Sequence, residues 1–291
     1  MELGTNAALN CTNLALSGST LGLFTNAVID LKSGDLTLTN STVYVYSGAG
    51  FTNVDEISLV GISTMYTYCH PISGVLPLPF VMQNFLVATN SQVNANSGGY
   101  AGGAVNAPGY GPGAGQGAIG TAGNGGGGGY GGIGGNGEGY VNGGITNGSD
   151  VYPFEPGSGG GGGWSSTVIN GGAGGGAVQI VANNTVTNNG IISANGAIGV
   201  GTYGRGGGGS GGGIYISCHT IAGLGTIRAN GGDSIGGIYG GGGGGGRISV
   251  RCSYNHYYGT LSVTNGTGDQ DGQVGTIYWR IQAPGTLFSV W

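Results

Sequence analysis

Acid–base hydrolysis of a glycoside needs two carboxylates held at a set separation in a cleft. The chain offers Asp30, Asp35, Asp55, Glu56, Glu138, Asp150, Glu155, Asp233, Asp269 and Asp271, and no pair of them recurs with the repeats described below. Asp269-Gln-Asp271-Gly is the one calcium-like fragment. It lacks the remaining oxygen ligands and the terminal Glu of an EF-hand loop, so it reads as a solvated turn. His70 and His219 directly follow Cys69 and Cys218, and His256 stands three residues before Gly259. That adjacency suggests a thiolate nucleophile or a metal site, but neighbours on a strand such as Cys218 and His219 point to opposite faces. The four cysteines form no C-x-x-C pair, which disfavours structural zinc. These residues assign no catalytic group, no metal and no cofactor. The numerous Gly-x-Gly-x-x-Gly matches carry no nucleotide signal, because that motif is informative only between a strand and a helix.

Two other sets of residues point to recognition. Tyrosine follows glycine at Tyr100, Tyr110, Tyr130 and Tyr140. An aromatic row on a flat β surface can stack sugar rings, which makes these four the glycan-stacking candidates. The competing role is to fill volume beside glycine, which supplies none; Trp164, Trp279 and Trp291 admit the same two readings. Asn10, Asn40, Asn147, Asn183 and Asn265 begin N-x-Ser/Thr sequons and are the candidate N-glycosylation sites. A chain rich in Asn, Ser and Thr also produces such triplets by composition.

Composition limits what can position these residues. Glycine supplies 75 of 291 residues, while charged residues make up 6%. A helix-rich fold is excluded, because each glycine costs about 0.8–1 kcal/mol in a helix relative to alanine. One Lys and five Arg, scattered, cannot neutralise a run of phosphates, so nucleic acid is not an expected partner. Disorder is disfavoured as well, since 38% of the residues are apolar and net charge is only -5. The most apolar window, residues 72–88, is broken by Pro77, Pro79, Gln83 and Asn84 and falls short of the ~20 clean residues of a membrane span. Membrane insertion is not expected, and the polar residues after Met1 show no leader pattern.

In the first sixty residues apolar side chains recur two apart, at Leu14/Leu16, Leu21/Leu23, Leu36/Leu38 and Val43/Val45. That is the period of a half-buried strand. Thr-Asn dipeptides at 12–13, 25–26, 39–40 and 52–53 mark turns between them. Short strands restarting about every seven residues predict a parallel β-helix, with about 21 residues per coil from three such units. A hairpin sandwich would show turns every ~8–12 residues with varied loops.

The second half carries a longer repeat. The strands Val178-Gln-Ile180, Ile214-Tyr-Ile216 and Ile248-Ser-Val250 each follow a glycine block, and each precedes an apolar run ending in Asn-Gly at Asn195, Asn230 and Asn265. Val93-Asn-Ala-Asn96 looks like an earlier copy. The expected organisation is residues 1–83 as solenoid coils with an apolar connector, then residues 84–291 as glycine-rich β-helical repeats with a long insertion at 98–177. The fold class predicted is all-β, a parallel β-helix or solenoid with an ordered, polyproline-II-like polyglycine layer. Bare glycine loses much backbone entropy on ordering. The runs 125–129, 159–163, 206–213 and 240–246 are therefore expected side by side, bonded chain to chain, as absent Cβ atoms allow at the axis of collagen.

In this alignment Cys218 and Cys252 hold equivalent inward positions on neighbouring coils, ~4.8 Å apart. They are a candidate disulfide in an extracellular protein, or two stacked free thiols; Cys11 and Cys69 have no such alignment. The blocks Gly206–Gly209-Ser210-Gly-Gly-Gly-Ile-Tyr-Ile, Gly225-Thr-Ile-Arg-Ala-Asn-Gly-Gly, Gly244-Gly-Gly-Arg-Ile-Ser-Val and Gly275-Thr-Ile-Tyr-Trp resemble the glycine-rich parallel β-helix repeats of large bacterial surface and adhesin-like proteins. The resemblance covers roughly residues 84–280 and implies an exported, structural or adhesive role rather than catalysis.

The chain closes with Thr286-Leu287-Phe288-Ser289-Val290-Trp291, an alternating strand that pairs readily with another chain. The function expected is an extracellular or cell-surface structural protein, not an enzyme, that self-assembles into a fibre or surface layer. Assembly would use uncapped solenoid ends or strand exchange through Leu287, Phe288, Val290 and Trp291, with the protein itself as partner. The alternative is an adhesin-like or polysaccharide-binding β-helix that takes glycans as partners; a polysaccharide lyase or hydrolase ranks third, by analogy of fold alone.

Overall fold

The computed structural model describes residues 1–119, 123–139, 141–164, 170–201, 205–235 and 239–282. Among them are eighteen strands and no α-helix. In chain order these are β1 (Glu2–Leu3), β2 (Ala8–Asn10), β3 (Leu14–Ser17), β4 (Thr20–Leu23), β5 (Val28–Thr39), β6 (Thr42–Val45), β7 (Gly50–Val60), β8 (Thr64–Thr67), β9 (Phe80–Val87), β10 (Gln92–Asn94), β11 (Ala177–Asn188), β12 (Ile191–Ser193), β13 (Gly213–Gly223), β14 (Thr226–Arg228), β15 (Arg247–Cys252), β16 (Tyr254–Tyr257), β17 (Thr260–Ser262) and β18 (Thr276–Ile281). They form two parallel sheets. One runs β1-β4-β6-β8-β10-β12-β14-β17, and the other runs β18-β15-β13-β11-β9-β7-β5-β2, with β3 on β5 and β16 on β13. From β3 onward the chain passes from one sheet to the other and back, an arrangement consistent with a parallel β-solenoid. No helix among the described residues is long and apolar enough to cross a membrane.

Side-chain alternation accounts for the core. Leu21, Leu23, Val43, Val45, Met65, Val93, Ile192 and Ile227 of the first sheet are fully buried against Ile29, Leu36, Leu38, Ile57, Leu59, Ile180, Ile214 and Ile248 of the second. Their strand neighbours point outward, as the two-residue period requires. Turns bend each coil: Asn26, Asn40 and Asn53, three of the expected Thr-Asn sites, take left-handed φ of 59°, 49° and 51°, a region that Asn tolerates better than most residues.

From β4 through β6 to β8 the coils are 22 residues long, one more than the strand spacing suggests. Inside them the Ser41 N–H donates to Ser63 Oγ, 22 residues on, in a ladder that runs from exposed Ser19 through buried Ser41 and Ser63 to Ser91. In the second half the expected alignment holds residue for residue: Val178 pairs Ile214, Ile180 pairs Ile216, Ile214 pairs Ile248 and Ile216 pairs Val250. The Asn series holds for three members. Asn195 N–H donates to Asn96 Oδ1 and Asn230 N–H to Asn195 Oδ1, each at 2.8 Å. The next coil is one residue shorter, so Thr264 rather than Asn265 donates its N–H to Asn230 Oδ1.

β9 straddles the expected boundary at residue 83 and pairs with β7 on one side and β11 on the other. Between β10 and β11 the chain leaves the sheets, and its glycine segments bond to one another through the main chain. Gly125 and Gly128 donate N–H bonds to the carbonyls of Arg205 and Gly208, Gly126 and Gly129 to Gln116 and Gly113, and Gly127 to Gly135. Each third amide thus serves the same neighbour. Three parallel segments close a cycle: Gly125 and Gly128 donate to Arg205 and Gly208, Gly208 and Gly211 to Gly241 and Gly244, and Gly241 and Gly244 back to Gly125 and Gly128, all at 2.8–2.9 Å. The run 159–163 joins from the side, with Gly159 and Gly162 donating to Tyr110 and Ala107 and Gly207 and Ser210 donating back to Gly161 and Ser158.

These contacts need glycine for a steric reason. A Cβ at Gly208 would overlap the carbonyl oxygen of Gly232, and one at Gly243 that of Gly209. Gly208→Ala is expected to lower the unfolding free energy by about 3 kcal/mol or more, the upper end for overpacking. Gly4→Ala, with nothing within 4 Å of the added carbon, is expected to leave it unchanged. Denaturant titration of the two variants checks this difference.

Candidate functional site

The four Gly-Tyr tyrosines do not form one surface. Tyr110 is exposed, Tyr100 is half-buried, and Tyr140 lies outside the described residues. Tyr130 is a correction: it is fully buried and offers no ring face to a sugar. Its hydroxyl hydrogen-bonds Glu155 Oε2 at 3.1 Å, and the Arg247 guanidinium carbon lies 5.4 Å from its ring centroid. Burial, with the Glu155 carboxylate adding to it, holds the phenol well above its usual pKa. Arg247, itself buried, donates to the carbonyl of Asn147 at 2.9 and 3.1 Å, to that of Tyr130 at 3.4 Å and to Thr276 Oγ1 at 2.9 Å. Tyr130 therefore fills the volume that glycine leaves and fastens the segment after β10 to strand β15. Of the tryptophans, Trp164 is partly exposed, Trp279 stacks on Tyr257 with centroids 6.4 Å apart, and Trp291 lies outside the described residues.

Sequence spacing missed a different aromatic array. On the outward positions of β6 and β8, and just beyond their ends, Tyr44 stacks on Tyr66 (5.0 Å, 7°) and Tyr46 on Tyr68 (5.3 Å, 22°), while Phe24 continues the second column onto Tyr46 (5.5 Å, 3°). The signal was present as the recurring Tyr-x-Tyr of Tyr44/Tyr46 and Tyr66/Tyr68, one coil apart. A second cluster joins Tyr152, Phe154 and Tyr215, with Arg251 over the Tyr152 ring at 4.8 Å and hydrogen-bonded to its hydroxyl.

Cys218 and Cys252 directly follow the paired residues Ser217 and Arg251, and both pack against the core. They are free thiols, as are Cys11 and Cys69. Burial pushes Cys218 up to about 12, with the Cys252 sulfur beside it adding to the effect. Burial also raises Cys252, and it pushes Cys69 up to about 12. A thiolate nucleophile is thereby disfavoured at all three positions. His219 is exposed, edge-on to Tyr254, on the face opposite Cys218.

Of the sequon asparagines, Asn10, Asn40 and Asn183 are exposed. Asn147 is half-buried and its Nδ2 donates to the carbonyls of Gly129 and Ile145, while Asn265 Nδ2 donates to the carbonyl of Gly266. Asp271 accepts the Gly268 N–H inside its own turn. Among the described residues no group of three His, Cys, Asp or Glu side chains is placed to hold a metal ion. Asp30 carries the ion pair with Lys32 at 2.6 Å, and hydrogen bonds from Lys32 and then Asn53 bring its carboxyl down to about 2. The assembly candidates Leu287, Phe288, Val290 and Trp291 lie outside the described residues.

No protein-family model matches the chain, and neither a curated protein nor a solved structure is detectably similar to it. At about pH 8 iodoacetamide is expected to alkylate Cys69, Cys218 and Cys252 far more slowly in the folded protein than in denaturant. Intact-mass spectrometry over time checks this, and rapid labelling of the folded protein would contradict the burial of Cys69 and Cys252 and the packing of Cys218 against the core.

Proposed function

We propose that the protein is a non-catalytic structural protein of the cell exterior, a stiff body whose copies join into a fibre or surface layer. The observation that carries the reading is the closed cycle of main-chain bonds among residues 125–129, 205–211 and 241–246. Bonds of this kind need no charged surface and bury no large side chains, which fits a chain with 6% charged residues. The reading takes these runs as polyproline-II-like strands in a glycine layer. Three residues per turn is the period of that conformation, and it matches the return of every third amide to one neighbour. A dense layer bonded in this way leaves few main-chain sites for a protease to engage. The resemblance of residues 84–280 to bacterial surface repeats points the same way.

The ends of the coil stack supply a route to assembly. Leu23, Ile29, Leu36 and Leu38 are fully buried, while the residues paired to them on the outer coil, Leu3, Leu9, Leu14 and Leu16, are only partly buried. Leu261, Val263 and Trp279 are in the same condition at the other end. Sheet edges of this kind accept a further strand. A second copy laid on either end would complete the core, and residues 286–291 with Leu287, Phe288, Val290 and Trp291 fit such a strand.

Sedimentation velocity and negative-stain electron microscopy test this proposal. Filaments or sheets are expected from the intact chain, and smaller species from the Leu14→Lys/Leu16→Lys double variant and from a chain lacking residues 286–291. A monodisperse monomer at high concentration would overturn it.

A further inference from the structure

The aromatic array on the first sheet is two columns wide and one ring short. Phe24, Tyr46 and Tyr68 fill one column. In the other, Tyr66 and Tyr44 are followed in register by Gly22 and then Glu2. Strands are ~4.8 Å apart, so the face of Tyr44 turned away from Tyr66 looks onto a rung with no side chain. A cavity of about 350 Å³ opens there, within the range of small-ligand sites. It is lined by Met1, Glu2, Thr20, Phe24, Tyr44 and Tyr46 beside Gly22 itself.

Glycine at this rung is not demanded by the backbone. The Gly22 φ is not left-handed, and an added Cβ would meet only Phe24 Cε2 at 3.6 Å and Glu2 Cγ at 3.7 Å, ordinary contacts. This sets it apart from the main-chain-bonded glycines, where a Cβ would collide with a carbonyl. What glycine contributes at position 22 is the gap itself.

We infer that this gap is a binding site for one pyranose ring of a neutral glycan. The ring takes the place of the missing sixth aromatic, its C–H face on Tyr44 and its edge beside Phe24. The polar atoms at the rim suit a sugar better than a plain aromatic ring. The Glu2 carboxylate and the hydroxyls of Thr20, Tyr44 and Tyr46 hydrogen-bond no described residue, which leaves them to receive and donate bonds from ring hydroxyls. The charged groups of the lining are the Glu2 carboxylate and the Met1 ammonium, which already donates to the Thr20 carbonyl at 2.8 Å, and no Lys or Arg is present, a balance that suits an uncharged sugar. The site goes beyond the structural role proposed above and holds whether or not copies of the chain assemble.

Saturation-transfer NMR with cellotriose and N,N′-diacetylchitobiose tests the inference, with p-cresol as an aromatic comparison. At least one of the sugars is expected to bind the native protein. Gly22→Tyr, which supplies the missing ring, is expected to weaken that binding at least about tenfold while the melting temperature stays level or rises. Tyr44→Ala is expected to abolish binding with circular dichroism unchanged. No saturation transfer to either sugar, undiminished binding in Gly22→Tyr, or binding of p-cresol alone would each overturn the assignment.

Discussion

Every glycine that is ordered without a side chain must be held by its amide and its carbonyl. Fixing one residue's backbone costs about 1–2 kcal/mol, glycine more than most, and a typical hydrogen bond returns about 0.5–1.5 kcal/mol net. The balance turns favourable when both polar groups of each residue are bonded and the chains touch along their length. The missing Cβ is what permits that contact. Gly208, Gly241 and Gly125 sit where a carbonyl from a neighbouring segment would overlap any side-chain carbon, and Gly208 donates to Gly241, Gly241 to Gly125 and Gly125 to Arg205. Glycine in these runs is thus a packing requirement, in the way that the crowded axis of collagen requires it.

The two parallel sheets give these segments a fixed frame. Gly211 and Gly212 lead directly into β13, and Gly245 and Gly246 into β15. The coil spacing therefore presets where each run starts and how it lies against the next. Tyr130 and Arg247 tie the long segment between β10 and β11 to the same frame, one through a buried ring and the other through four donated bonds to Asn147, Tyr130 and Thr276. Side chains hold the coils and main chain holds the glycine runs, with few residues shared between the two.

The division explains what could be read from the residues alone. Leu21/Leu23 and Val43/Val45 recur with strand period because each coil buries the same positions, and Val178, Ile214 and Ile248 align because in-register stacking forces like onto like. Asn195 and Asn230 mark their coils because a side-chain amide can bond the rung above. Asn265 was misleading, since a coil one residue shorter carries Thr264 into that place. Burial of Tyr130 was not legible: it depends on Arg247 and Glu155, distant in the chain, meeting the ring and its hydroxyl, a long-range matter on which local spacing is silent. The stacked Phe24, Tyr44, Tyr46, Tyr66 and Tyr68 were legible in principle, as outward positions one coil apart.

Hydrogen exchange read by NMR at single amides tests the central claim most directly. If main-chain bonding orders the glycine segments, the amides of Gly126–Gly129, Gly207–Gly212 and Gly241–Gly246 will be protected to the same degree as those of Ile214, Ile216 and Ile248 in the sheets. Exchange of those glycine amides at the rate of an unstructured peptide, while the strand amides stay protected, would contradict it.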